Sequence, residues 1–501
     1  MNASLLRSLA SLGFVTPRGL VRWARCLADE GVTLMAMLRF QAEMHPDACA
    51  VVDGGVRLNY GELYRHAKNL ARLLRAEYGL KTGHSVAMLC RNHALSLILL
   101  PALSRLGVNV RLLNTDLGTD RTEELLQRGV FRLLVYDEEM IGKCVPTPLP
   151  CQAIPSETLF ERLLAMSHDD DIRLPRIFQG PALSVMTGGT SGHYTEAPRR
   201  PSVTQFLCPF FALLRDVGIG QYDSVCLALP IYHGFGLATL IVGLLMGKKI
   251  CLMRHFDAAQ AMEVIEEEEV EVLPIVPVML ARMLQLDDAK QRLKSLRCIV
   301  SGGDRLDMNL IDETRRQLGD IIHNLYGTSE AGFFLLATPS DLSKHGEATL
   351  GKPIRGVKCE VRDKDAEGTG TLWVRSGWAM TGRSNRWQST GDRVWQNAEG
   401  YYFHRGRADR LVVCGGENAR PDNVERALCK HPDVMASHVY AVPHPDFGQV
   451  LNARIELRDG CTLSAEEVRK WLAPRIARAE MPHAIIFGPI KIEATGKVCS
   501  Q

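Results

Sequence analysis

The densest grouping of chemically able residues runs from Gln388 to Glu425: Gln-Ser-Thr-Gly-Asp at 388–392, Gly-Arg-Ala-Asp-Arg at 406–410, and Gly415-Gly416-Glu417-Asn418. Asp392 follows a glycine in a turn, which makes its carboxylate a fixed acceptor able to take two adjacent hydroxyls, as a ribose offers. Arg407 adds a planar donor fork that never loses its charge, suited to ribose oxygens or phosphate. Gly415-Gly416 ends the apolar run Leu411-Val412-Val413, so a strand is predicted to stop where another group can approach the backbone closely. Each fragment alone reads equally well as an ordinary turn; their joint order and spacing carry the signal.

Four other stretches could do chemistry. Met186-Thr187-Gly188-Gly189-Thr190-Ser191-Gly192 follows a predicted strand, and small residues there free backbone N–H groups and hydroxyls to wrap an oxyanion. The same stretch also reads as a flexible Ser/Gly turn. Asn324-Leu325-Tyr326-Gly327-Thr328-Ser329-Glu330, taken unaided, is a turn before a helix. Leu229 to Gly236 holds His233, which reads equally well as a structural histidine. Ala494-Thr495-Gly496-Lys497 ends in what is otherwise one surface lysine among many.

Taken in order, Thr390-Gly391-Asp392, Gly406-Arg407-x-Asp409 and Gly415-Gly416 resemble the late motifs of the adenylate-forming superfamily of acyl-CoA synthetases, luciferases and peptide-synthetase adenylation domains. The resemblance extends over residues 35–499 and is greatest to bacterial fatty-acyl-CoA synthetases. It implies a phosphate loop at Thr187, Gly188, Gly189, Thr190, Ser191 and Gly192, with Thr190 counted among the catalytic residues. By the same likeness Gly303, Asn324, Tyr326, Gly327, Ser329, Asp392, Arg407, Gly415 and Gly416 line the nucleotide and coenzyme sites. Tyr326 would stack on adenine, Glu330 would hold Mg²⁺, a hard ion suited to carboxylate and phosphate oxygens, and His233 would gate the acyl pocket. Asp409 would be the hinge, and Lys497 would be delivered to the α-phosphate, where charge builds up during attack. One departure matters: the family's loop usually continues to Pro-Lys, and Tyr194 and Thr195 stand there. Arg199 or Arg200 is the expected substitute for the missing cation.

The elements that must position these residues follow from periodicity. Tyr60 to Tyr78 carries apolar residues at helical spacing, Val86 to Leu89 and Val108 to Leu113 are strand-like, and Leu95 to Leu106 is helical between them, a βαβ unit of a parallel sheet. A strand is expected over Arg132 to Tyr136, then a loop-rich connection over 144–181. Strands at 225–229, 250–253, 270–275, 296–300 and 321–325 alternate with helices after Gly236 and over 258–269. Ligands in such sheets sit beyond the carboxyl ends of strands, so Gly302-Gly303 and Gly327 point at a site. Short strands after Gly351 suggest a small β-rich subdomain. The tail adds helices over 422–430 and after Ser464, where Glu467 completes a capping box, with strands at 437–442 and 452–457. The expected fold class is α/β: a large N-terminal domain, residues 1–408, of two doubly wound sheets plus the β-rich subdomain, and a small mobile α+β lid, residues 409–501.

Composition bounds the rest. The 501 residues exceed one core, 46% are apolar and 23% charged, and 59 Lys and Arg balance 57 Asp and Glu, so no nucleic-acid footprint is present. The 14 cysteines form no Cys-x-x-Cys pair and read as reduced thiols of a cytoplasmic protein. Val225 to Met246, the most apolar stretch, is too interrupted by Pro and Gly to span a membrane. The first forty residues, with Arg7, Arg18, Arg22 and Arg25 before any acid, read as a basic amphipathic segment touching a membrane surface, as a transit peptide, or as a flank-packed helix. Oligomeric state is not legible.

The expected activity is that of an ATP-dependent acyl-CoA synthetase using ATP, Mg²⁺ and CoA, with a medium- or long-chain fatty acid as the carboxylic acid. Its alternatives are an adenylate-forming ligase with another acceptor and a catalytically weakened scaffold relative, the latter suggested by Thr195.

Overall fold

Apolar residues decide where each element goes. In the computed structural model, residues 13, 16–117, 119–143, 145, 149, 151–166, 174, 177, 180–188, 194–199, 206–410, 412–414, 417–444 and 448–490 are described. They divide into two compact units, the first built on the chain up to Pro274 with Ser295–Arg297 and Trp378–Ser384, the second on Ile275–Lys294, Cys298–Gly377 and the chain from Asn385.

In the first unit the helix Tyr60–Glu77 starts at Asn59, whose side chain accepts from the Glu62 N–H at 2.8 Å while the Glu62 carboxylate accepts from the Asn59 N–H at 2.9 Å. The helix Ala94–Arg105 is buried on all sides, which is why its sequence is apolar all round. Around them lies a six-stranded sheet in the order Ala153–Pro155, Leu133–Tyr136, Ser85–Leu89, Asn109–Leu112, Leu183–Gly188, Tyr194–Arg199. Its strands are parallel except the last. The chain passes from Ser85–Leu89 to its neighbour Asn109–Leu112 and then to Leu133–Tyr136 on the opposite flank. That reversal of direction opens a crevice at the carboxyl ends of the strands. A second sheet of the unit orders Ser224–Leu227, Lys249–Leu252 and Cys49–Asp53 in parallel, closed by the antiparallel Val56–Asn59.

The second unit begins with parallel Cys298–Gly302 and Ile322–Thr328, then antiparallel Gly332–Ala337 and Lys352–Pro353. The β-rich part is a four-stranded antiparallel sheet, Lys358–Arg362, Gly370–Arg375, Gln388–Gln396 and Tyr402–Arg407. Beyond it, Glu417–Ala419, Val412–Cys414, Gly448–Leu457 and Val434–His444 form an antiparallel sheet, and Ala484–Phe487 adds to Gly448–Leu457 in parallel. Helices Pro421–Leu428 and Ala465–Leu472 bury Val424, Leu428, Val468 and Leu472 in the same core as Val439, Leu451 and Ile455. The capping box of Ser464 and Glu467 is present in both halves.

An ionic knot ties this core together. Arg410 donates to Asp422 Oδ1 at 2.8 Å, to both Glu425 oxygens at 2.9 Å and to the Val439 carbonyl at 2.7 Å. The Glu425 carboxylate also accepts from the Val439 N–H at 2.8 Å. Burial would raise the Glu425 carboxyl, but His438, Arg410 and that N–H outweigh it and hold it below its ordinary value.

Three expectations are corrected. The connection over 144–181 is not all loop: it contains the strand Ala153–Pro155 and the helix Ser156–Ala165, whose Leu159 and Leu163 are buried at helical spacing. No helix follows Tyr326-Gly327, because Thr328 leads instead into a hairpin with Gly332–Ala337. Asp392 sits within a nine-residue strand rather than in a turn. The α/β class, the β-rich part, the smaller C-terminal α+β part and the remaining elements stand, within a few residues at their ends. All described cysteines are free thiols, and no helix among the described residues is long and apolar enough to cross a membrane.

Candidate active site

The Ser-Thr-Gly-Asp run shapes a bulge. Thr371 pairs with Arg393 and Trp373 with Ser389, so Thr390, Gly391 and Asp392 together oppose the single Leu372. Gly391 makes the swing at φ +77°, where a side chain would be strained. The Thr390 hydroxyl donates to the Leu372 carbonyl at 3.0 Å and accepts from the Asp392 N–H at 3.1 Å, and the Ser389 hydroxyl accepts from the Gly391 N–H at 3.2 Å. The hydroxyls therefore satisfy backbone groups that the bulge takes out of the ladder.

On the other edge of that strand, Asp392 lies directly opposite Arg407 in antiparallel register. Arg407 Nη1 donates to Asp392 Oδ1 at 3.3 Å, although the two are 15 residues apart in sequence. Tyr326 donates its hydroxyl to Asp392 Oδ2, and its ring meets Phe334 edge-on at 5.2 Å. His404, which sequence reasoning did not single out, brings Nε2 to 3.8 Å from Asp392 Oδ1. Burial alone would raise the Asp392 carboxyl; the nearby His404, the Tyr326 hydroxyl and the Arg407 charge outweigh it and hold the group below the usual carboxylate range. Asp392 is thus an ionised acceptor at neutral pH, in a largely buried setting, beside a guanidinium. Conversely, burial and the Asp392 charge push the Tyr326 phenol well up, so it remains a donor.

Other predicted site residues fall as follows. Glu330 lies half-buried in the hairpin turn, and among the described residues its carboxylate has no hydrogen-bond partner, which suits a hard divalent cation. Ser329 is in the same turn. Gly303 ends Cys298–Gly302 at φ +83° and is exposed. Gly327 has a packing role: a Cβ there would lie 2.5 Å from the Gly332 carbonyl oxygen and from Phe333 Cα on the returning strand. Gly327→Ala is expected to lower stability by about 2 kcal/mol through forced separation of the strands, read by denaturant titration. Asn324 is buried, its amide donating to the Thr349 carbonyl at 2.8 Å. Gly406, at φ +106°, allows Asp422 to approach, and the Arg407 N–H donates to Asp422 Oδ2 at 3.2 Å. The hinge candidate Asp409 lies in the 3₁₀ turn Ala408–Arg410.

In the first unit, His233 occupies the N-cap position of the helix Gly234–Leu245, with no side-chain capping bond, and stands edge-on to Tyr232 at 4.7 Å. Sequence reasoning missed what holds this segment. Asn92 donates to the Leu227 and Leu229 carbonyls at 3.2 and 2.9 Å and accepts from the Ile231 N–H at 2.9 Å. A buried asparagine has no sequence signature of its own. Thr187 and Gly188 end their strand paired with Thr195 and Tyr194, at the mouth of the glycine-rich stretch. Gly189, Thr190, Ser191, Gly192, Arg200, Gly415, Gly416 and Lys497 lie outside the described residues.

The position of Arg199 on its strand tells against its serving as the missing loop cation. Arg199 pairs with Leu183, at the far end of the strand from Tyr194. Five residues of strand span about 17 Å, beyond the reach of one side chain. Arg199→Ala is accordingly expected to leave ATP affinity within about twofold of wild type, well under the tenfold that 1.4 kcal/mol represents, as measured by calorimetry.

Solved structures share this fold. The anthranilate CoA ligase AuaEII in complex with anthranoyl-AMP superposes with a TM-score of 0.80 at 20% identity, over 93% of this chain and 95% of that one. The o-succinylbenzoate CoA synthetase MenE from Bacillus subtilis, in complex with ATP and magnesium, gives 0.75 at 23% identity, over 92% and 97%. The chain belongs to the AMP-binding enzyme family, whose profile matches residues 38–382, followed by the AMP-binding enzyme C-terminal domain over 423–497. Among curated relatives, a 2-succinylbenzoate–CoA ligase of Bacillus licheniformis is 26% identical over 468 residues, 90% of this chain and 95% of the relative.

Proposed function

We propose that this chain is an ATP-dependent acyl-CoA ligase that activates a carboxylic acid as acyl-AMP and passes the acyl group to the thiol of CoA. The observation that carries the reading is the Tyr326–Asp392–Arg407 grouping, in which two donors from separate strands converge on one ionised, buried acceptor on a third. Family membership and the CoA ligases among the relatives support it.

In this reading Asp392 accepts from the two ribose hydroxyls, and the Tyr326 ring, braced by Phe334, offers a face to adenine. Arg407 holds the Asp392 carboxylate and lends a fork to ribose oxygens. Glu330 would hold Mg²⁺, which supplies neutralisation of phosphate oxygens when bound. Thr187 to Gly192 wrap the phosphates, Lys497 meets the charge that develops as the carboxylate attacks, and rotation about Asp409 exchanges the adenylating face for one lined by Gly415-Gly416.

The acid is the finer question. The named relatives take 2-succinylbenzoate or anthranilate, both aryl carboxylates, and a medium- or long-chain fatty acid draws no support from them. An aryl carboxylic acid is therefore the substrate class proposed, with His233 and Tyr232 at its pocket. The test is pyrophosphate release over a panel of aryl and aliphatic acids, with and without CoA. Release that depends on an aryl acid, with acyl-CoA formed only when CoA is present, is the expected result. ATP binding without release for any acid would transfer the reading to a scaffold relative.

A further inference from the structure

Among the described residues, Arg426 makes no ion pair. It lies on the helix Pro421–Leu428, and its Nε and Nη2 are enclosed without a hydrogen-bond partner among the described residues. The charged groups around it are Arg305, Arg405, Glu347 and Asp422. Both carboxylates are already engaged. Glu347 is gripped at both oxygens by Arg405, with Nη2 to Oε2 at 2.9 Å. Asp422 accepts from Arg410 and from the Arg407 N–H. Glu425, the remaining acid of that helix turn, is filled by Arg410 and the Val439 N–H. Arg305, which follows Gly303-Asp304, makes no ion pair among the described residues, and neighbouring Asp307 spends an oxygen on the Leu310 N–H at 3.0 Å. The Arg305 charge therefore bears on Arg426 while the acids around both are engaged elsewhere.

Deprotonation offers no relief. Burial, with Arg305 and Arg405 adding to it, pushes Arg426 down to about 10, which still leaves it charged at neutral pH. A buried, unpaired charge is among the most costly groups a fold can hold. Nε and Nη2 share one edge of the guanidinium plane, the edge that grips two oxygens of one phosphate. Two positive charges match the charge of a terminal phosphate.

We propose that Arg305 and Arg426 form a binding site for the terminal phosphate of a phosphate-bearing ligand, whose arrival holds the helix Pro421–Leu428 in place beside Arg305. Two sources share that chemistry if the ligase reading holds, on which this choice of sources rests: the 3′-phosphate of CoA and released pyrophosphate.

The experiment is calorimetric titration of the full chain, in phosphate-free buffer of low ionic strength, with adenosine 3′,5′-bisphosphate and separately with inorganic pyrophosphate. Wild type is compared with Arg305→Gln, Arg426→Gln and Arg426→Lys. At least one anion is expected to bind about tenfold or more weakly to both glutamine variants, with the lysine variant, which keeps the charge and loses the fork, falling between. The anion affected identifies the source. Arg426→Met is expected to melt at or above the wild-type temperature without anion and to gain less than wild type when the anion is added. Unchanged affinity for both anions in both glutamine variants, or no binding of either by wild type, would overturn the proposal. Should Arg426→Gln not fold, Arg305→Gln carries the same comparison. Acid-dependent pyrophosphate release, measured separately on wild type, reports on the ligase reading alone: anion binding through these arginines without such release removes that reading and leaves the site.

Discussion

Asp392→Ala is expected to weaken ATP binding about a hundredfold and to lower stability as well. A charged acceptor serving two hydroxyls contributes about 1.5–3 kcal/mol for each hydrogen bond, and roughly 2.7 kcal/mol is a factor of 100. The stability loss has a separate origin. Asp392 is the acceptor for the buried Tyr326 hydroxyl and the counterion of Arg407, so truncation strands a donor at a cost of about 1–3 kcal/mol. Asp392→Asn separates the two effects. It keeps the volume and an acceptor oxygen but loses the charge, so it should fold nearly as well as wild type while binding ATP roughly tenfold less tightly, the cost of about one such hydrogen bond. Calorimetry with ATP and a denaturant titration on all three proteins make the comparison. Wild-type ATP affinity in a folded Asp392→Ala variant would remove Asp392 from the nucleotide site.

Lys497→Ala is expected to slow acyl-adenylate formation by about 10²–10³, with ATP affinity changed little, because the lysine acts where charge develops rather than where the ground state is bound. The expected signature is loss of rate with the KM for ATP nearly constant, measured as acid-dependent pyrophosphate release. Addition of CoA to preformed acyl-AMP should proceed at the wild-type rate in the variant if, as proposed, rotation about Asp409 withdraws the lysine before that step. Equal slowing of both half-reactions would show instead that Lys497 supports the fold of the C-terminal part.

Much of the site was legible because its residues are chemically unusual and sit in fixed order. Asp392 and Arg407 could be named from type and spacing and Tyr326 from the family resemblance, and the structure brings all three to one point. Asn324 was named with them, yet its side chain turns to the Thr349 carbonyl, since a motif position does not say which way a residue faces on a strand. Arg199 was a plausible cation by proximity in sequence. Pairing with Leu183 carries it away, because an antiparallel strand turns sequence closeness into distance. His404 and Asn92 carried no signal: a lone histidine beside a strand end and an asparagine before a helix are ordinary until their partners are known.

The sequence by itself determined the α/β class, most of the order of helices and strands, and the identity of the ionisable residues, since hydrophobic period and residue type are local properties. Tertiary structure alone decided that Thr390-Gly391-Asp392 is a bulge on a strand rather than a turn, because that depends on what pairs across from it. It decided that Gly327 is needed for the backbone of Gly332 and Phe333. It also decided that Arg410 is paired three ways while Arg426, on the same side of the same helix turn as Asp422, has Nε and Nη2 without a partner among the described residues. Charge balance around a group is a sum over neighbours distant in the chain, and no reading along the chain can supply it.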